Sequence, residues 1–98
     1  MTTTFYILLS ARTDKGYENF GRFYIGDNAD TAGIIFSKMK GSMEVKENCM
    51  LLMELMELRG GLPVNLQMLA CTLSELGENC KIITTEVFKA VNLRASKT

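Results

Sequence analysis

Gly60-Gly61 interrupts an otherwise glycine-free stretch, Cys49–Cys71, that reads C-M-L-L-M-E-L-M-E-L-R-G-G-L-P-V-N-L-Q-M-L-A-C. Two-residue hairpin turns prefer positive φ, which glycine adopts without a Cβ clash. The stretch therefore reads as a β-hairpin around which the rest of the chain packs. Pairing Arg59 with Leu62 sets Glu57 opposite Val64, Leu55 opposite Leu66, Met53 opposite Met68 and Leu51 opposite Ala70. That face is apolar apart from Glu57. The other face pairs Met56 with Asn65, Glu54 with Gln67, Leu52 with Leu69 and Met50 with Cys71. Polar residues of both strands land together there, which a wrong register would scatter. Met, Leu and Glu are also good helix formers, so a helix over Met50–Leu58 is the competing reading. The alternation favours the strand.

The N-terminal part repeats the theme. Thr4–Arg12 alternates Phe5, Ile7, Leu9 and Ala11 against Tyr6, Leu8, Ser10 and Arg12, with the aromatic and branched content of a strand. Asp14-Lys15-Gly16 suits a three-residue hairpin loop closed by a left-handed glycine, with Tyr17–Gly26 as the return strand. Pairing Thr13 with Tyr17 predicts Phe5 opposite Ile25, Ile7 opposite Phe23 and Leu9 opposite Gly21. The second face then holds Tyr6 with Tyr24, Leu8 with Arg22, Ser10 with Phe20 and Arg12 with Glu18.

Each hairpin is followed by a helix signal. Asp27 or Asn28 can cap a helix whose Ala32, Ile35, Phe36 and Met39 form one apolar stripe, ending at Gly41. Ser42–Asn48 is a polar connector. Thr72-Leu73-Ser74-Glu75 is a capping box, and Leu73, Leu76, Cys80, Ile83, Val87 and Ala90 continue a helical stripe to about Leu93, before a polar tail, Arg94–Thr98, expected to fray. The order is ββαββα, a pseudo-repeat of halves 4–41 and 49–93 within a single domain, 1–98. Connections this short predict an α+β fold: a four-stranded antiparallel sheet with both helices packed on one face. Strand order is not set by the sequence.

Two helices cover one face of such a sheet. The face left outward would carry Tyr6, Leu8, Phe20, Arg22, Tyr24, Met50, Leu52, Met56, Leu58 and Leu69. A monomer rarely leaves an apolar patch of this kind in water, and its aromatic, Met and Arg content suits an interface centre. A homodimer packing sheet on sheet is the simplest solution, with another protein as the other candidate partner. The bland alternative is that the chain covers this face itself. Of seven methionines, most cluster between Met39 and Met68. A Met-rich core and dimer seam explains them, and a small apolar ligand in a Met- and aromatic-lined pocket is the alternative.

The chemistry expected is sparse. The chain has no histidine, the commonest general base and metal ligand, and carries no phosphate-loop, dinucleotide or nucleophile-elbow motif. Glu54 and Glu57 fall on opposite strand faces, so they form no acid–base pair. Catalytic residues, cofactors and metals are not expected. Acidic and basic residues balance at eleven each, with no like-charge block for nucleic acid or an anionic membrane. Phe20, Arg22 and Tyr24 share the predicted face, and aromatic stacking is one way a sheet holds RNA, but no basic rim accompanies them. Cys49, Cys71 and Cys80 lack metal spacing and read as reduced thiols, with Cys49 and Cys71 placed for a diagonal redox pair. No apolar run reaches membrane-span length, and the N-terminus lacks a signal-peptide pattern, so a cytoplasmic protein is expected.

Overall fold

The computed structural model describes residues 3–44 and 50–96, and side chains as far as residue 89. Its elements run β1 (Thr3–Thr13), β2 (Gly16–Gly26), α1 (Ala29–Ser37), β3 (Leu51–Arg59), β4 (Leu62–Cys71) and α2 (Leu73–Ser96). The order is the expected ββαββα, and all strand pairs are antiparallel. Across the sheet the strands lie β2-β1-β3-β4. The leading strand of each hairpin thus takes a central place, with a paired strand on either side. That fits their sequences, since β1 and β3 are the more continuously apolar strands.

Both helices lie on one face. Phe5, Ile7 and Leu9 of β1, Met53 and Leu55 of β3, and Leu69 and Cys71 of β4 form one buried cluster with Ala32, Ile35, Phe36 and Met39 from the α1 segment and Ile83 of α2. The α1 stripe read from the sequence is buried throughout. Asn28 is the cap: its Oδ1 accepts the Thr31 N–H at 2.9 Å. At α2 the capping box closes both ways, with Thr72 N–H donating to Glu75 Oε1 (2.9 Å) and Glu75 N–H donating to Thr72 Oγ1 (3.2 Å). Helix α2 continues to Ser96, so Arg94–Ser96 are helical where a frayed tail was expected. The side chains of Ala90 and Leu93 lie outside the described residues.

The hairpins depart from the expected registers at single extra residues. At Gly60-Gly61 both φ values are positive, 57° and 87°, and Glu57 faces Val64 and Met56 faces Asn65 as predicted. Beyond them Leu55 pairs with Gln67, not Leu66, and Met53 with Leu69. Leu66 is the extra residue of a bulge, which moves every later β4 residue by one place. In the first hairpin the turn is one residue shorter than expected, since Thr13 pairs with Gly16. Phe20 is bulged out to compensate, so Leu9–Gly21, Leu8–Arg22 and Tyr6–Tyr24 stand as predicted. Nearer the turn, Ser10 faces Asn19 and Arg12 faces Tyr17, which separates the expected Arg12–Glu18 pair. At the far end Phe5 pairs with Gly26 and leaves Ile25 without a cross-strand partner.

The start of the polar connector is held in the fold. Ser42 and Ala70 exchange both backbone hydrogen bonds at 2.8 Å, a one-residue bridge on the outer edge of β4. Gly41, with φ +152°, makes this approach possible: a Cβ there would lie 2.5 Å from the Ala70 carbonyl oxygen and 2.9 Å from Leu69 Cγ. One step earlier, the fully buried Asn79 of α2 pairs with the backbone of Lys40. Its Oδ1 accepts the Lys40 N–H at 2.7 Å, and its Nδ2 donates to the Lys40 carbonyl at 2.8 Å.

Candidate functional site

The ladders arrange the helix-free face in transverse rows. In the order β2, β1, β3, β4, one row reads Tyr24, Tyr6, Met56, Asn65, and the next Arg22, Leu8, Glu54, Met68. A third reads Asn19, Ser10, Leu52, Ala70, and Leu58 lies beyond Met56 on β3 beside Thr4 and Pro63. Tyr6 and Tyr24 pack tilted, with centroids 5.6 Å apart, and the Arg22 guanidinium carbon sits 5.2 Å from the Tyr6 ring centre. Glu54 Oε2 accepts a 2.7 Å bond from Asn65 Nδ2, which also lies 3.7 Å from Met56 Sδ. Ser10 Oγ donates to Asn19 Oδ1 at 2.7 Å.

The ten residues assigned to this face from sequence divide three ways. Tyr24 and Phe20 (each 55% exposed), Met50 and Arg22 are open to solvent, and Leu8 and Leu58 are half-buried. Tyr6, Met56 and Leu52 are on the face but buried, Leu52 only 4% exposed. Leu69 is misassigned. The Leu66 bulge turns it toward the helices, opposite Met53 in the core, and puts Met68 on the open face in its stead. Phe20, as the bulged residue, has no place in the rows.

A second feature lies at the end of the sheet where β1 finishes and β3 begins. A cavity of about 760 Å³ is bordered there by Ala11, Arg12, Met50, Leu51, Cys71 and Leu73, with Gly41, Ser42, Ala70, Thr72 and Glu75 completing the described wall. Among these described residues the lining is largely aliphatic and, unlike the pocket expected from sequence, includes no aromatic ring. Cys71 is buried, and burial, then Glu75 and Cys80, push its thiol up to about 11. Burial also raises the Cys80 thiol. Both described cysteines are free, and the proposed Cys49–Cys71 pair involves a residue outside the described ones.

The carboxylates near these features are engaged structurally: Glu54 by Asn65, Glu57 by Arg59 at 2.8 Å, and Glu75 by the α2 cap. Among the described residues no group of three His, Cys, Asp or Glu could hold a metal ion, and no helix is long and apolar enough to cross a membrane. Sequence reasoning missed Asn79, although the stripe Leu76, Asn79, Ile83, Val87 keeps helical spacing through it. Following only apolar residues diverts that stripe to Cys80. In comparisons with protein-family models, curated proteins and solved structures, nothing matches the chain.

Proposed function

We propose that this is a small non-catalytic interaction domain that associates with a second copy of itself through the open sheet face. The observation that carries the reading is the one-sided placement of the helices, which leaves Tyr24, Leu8, Leu58 and Met68 on the other side of the sheet without a covering helix. Four strands spaced about 4.8 Å apart and about 30 Å long offer at most about 600 Å² per copy, since Ser10, Leu52 and Ala70 on this face are already buried. Two copies would bury at most about 1,200 Å², the lower bound of specific interfaces. A dimer of modest affinity is therefore expected. A non-catalytic role fits the raised thiols and the structurally committed carboxylates. Free cysteines fit a reducing, cytoplasmic setting.

Light scattering tests the reading. The wild type should show twice the chain mass of 10.9 kDa, and Tyr24→Glu should return it to a folded monomer. Tyr24 suits this test because it is 55% exposed, and circular dichroism checks that the chain stays folded without its contact to Tyr6; a wild type that stays monomeric sinks the reading.

The cavity at the sheet end favours a second reading, a site for a small apolar molecule. An apolar fluorescent probe should bind there and be released by Leu73→Asp, since Leu73 stands 77% exposed at the rim. Binding that ignores this substitution assigns the probe elsewhere.

A further inference from the structure

Resting on the self-association reading above, we infer that the dimer's two-fold axis runs parallel to the strands, between β1 and β3, and brings Arg22 of each copy beside Glu54 of the other. Sheets that pack face to face in alignment keep their strands within about 30° of one another. A two-fold axis in the plane of the interface then runs either along the strands or across them. A pure rotation has no translation along its own axis, so an axis along the strands makes each transverse row meet itself, reversed.

For the row Arg22, Leu8, Glu54, Met68, that reversal sets Arg22 over the partner copy's Met68 and Leu8 over its Glu54. Arg22 and that opposing carboxylate are then one strand apart laterally, about 4.8 Å, across a sheet spacing of about 10 Å. Extended Arg and Glu side chains span this gap. Both charges occur twice, so the interface gains two opposite-sign pairs in its middle row. The adjacent row meets itself with its exposed ends together, Tyr24 over the partner copy's Asn65. An axis across the strands does the reverse in charge terms. It superposes each strand on its own counterpart and, at the level of this row, sets Arg22 against Arg22. Charge complementarity therefore selects the axis along the strands.

The test is a pair of charge reversals. Arg22→Glu and Glu54→Arg should each weaken the homodimer at least tenfold by sedimentation equilibrium, since each creates two like-charge contacts. Mixed in equal amounts, the two variants should form a heterodimer of about wild-type affinity, because every cross-copy contact is again between opposite charges. Circular dichroism checks that each chain is folded. If a reversal unfolds the chain, the neutral variants Arg22→Gln and Glu54→Gln replace it. Their losses should then be non-additive, the double variant binding no more than about threefold weaker than either single one. A mixture that fails to associate, or neutral losses that add fully, overturns the axis. A dimer that Tyr24→Glu dissociates and both reversals leave unchanged also overturns it while preserving the face. A wild type still monomeric at about 100 µM, a hundredfold above a micromolar Kd, removes the dimer itself and this geometry with it.

Discussion

Replacing Asn79 by leucine isolates the polar part of the latch between α2 and the connector. Asn79 is fully buried and bonds both backbone groups of Lys40, with Met53 Sδ 3.4 Å from its Nδ2. Leucine has the same branched skeleton with bulkier methyls, so the change leaves no cavity, and the loss is chiefly that of hydrogen bonds with a smaller part from crowding. Both bonds are only partly shielded from water, so each unsatisfied group of Lys40 should cost about 1–2 kcal/mol. The sum, about 2–4 kcal/mol, is a large share of the 5–15 kcal/mol that holds a typical domain together. At about 4–8 °C per kcal/mol for a chain of this size, the Tm should fall by about 8–32 °C. Urea unfolding followed by circular dichroism measures the loss, and an unchanged slope would confirm that the native state alone was altered. Hydrogen exchange gives the local reading: protection at the Lys40 and Ser42 amides should drop more than at Ile7 in the central strand. A loss below about 1 kcal/mol, or a Lys40 amide as protected as in the wild type, would refute the latch.

Gly41→Ala should cost about 2–3 kcal/mol in urea unfolding, because its Cβ meets the Ala70 carbonyl in a backbone conformation L-residues avoid. Thr72→Ala should cost about 1 kcal/mol by removing the α2 cap. Leu52→Glu should unfold the chain, not merely separate two copies, since Leu52 is buried; a folded monomer by light scattering would contradict this. Cys71 should react slowly with iodoacetamide at neutral pH. Its pKa of about 11 is above the ordinary thiol value of 9.0, so folding disfavours the thiolate. The sign follows: stability is unaffected by this group below pH 9 and declines as pH rises toward 11, which urea titrations across that range would detect.

Local chemistry made most of the fold legible. Two glycines with positive φ marked one turn, and Asn28, Thr72 and Glu75 marked the helix starts. These signals act within a few residues, so a single sequence carries them intact. The bulges at Leu66 and Phe20 have no such local mark. Each relieves a mismatch between strand twist and turn length that exists only after the strands pair. The Leu66 bulge alone explains why Met68 and Leu69 exchange faces. Strand order was hidden for the same reason: β1–β3 pairing joins segments separated by an entire helix and its connector. Asn79 was obscured by its polarity, although its spacing is that of a core position and its partner is backbone.

The same bulges decide how this sheet can be extended. The outer edge of β4 is already bridged by Ser42 at Ala70, contains Pro63, which has no N–H to give, and is bent at Leu66. The outer edge of β2 is bent at Phe20. Each feature opposes the addition of another strand. Guarded edges and one helix-covered face leave the other face as the part of this sheet that the proposed self-association would use. Pro63→Thr tests that step, because it returns an N–H and a strand-forming side chain to the β4 edge. With face-to-face association the mass by light scattering stays that of the wild type. A rise to larger assemblies in this variant would mean that proline was holding back edge pairing. Larger assemblies already in the wild type would mean that the edges, despite their bulges, are the route of association.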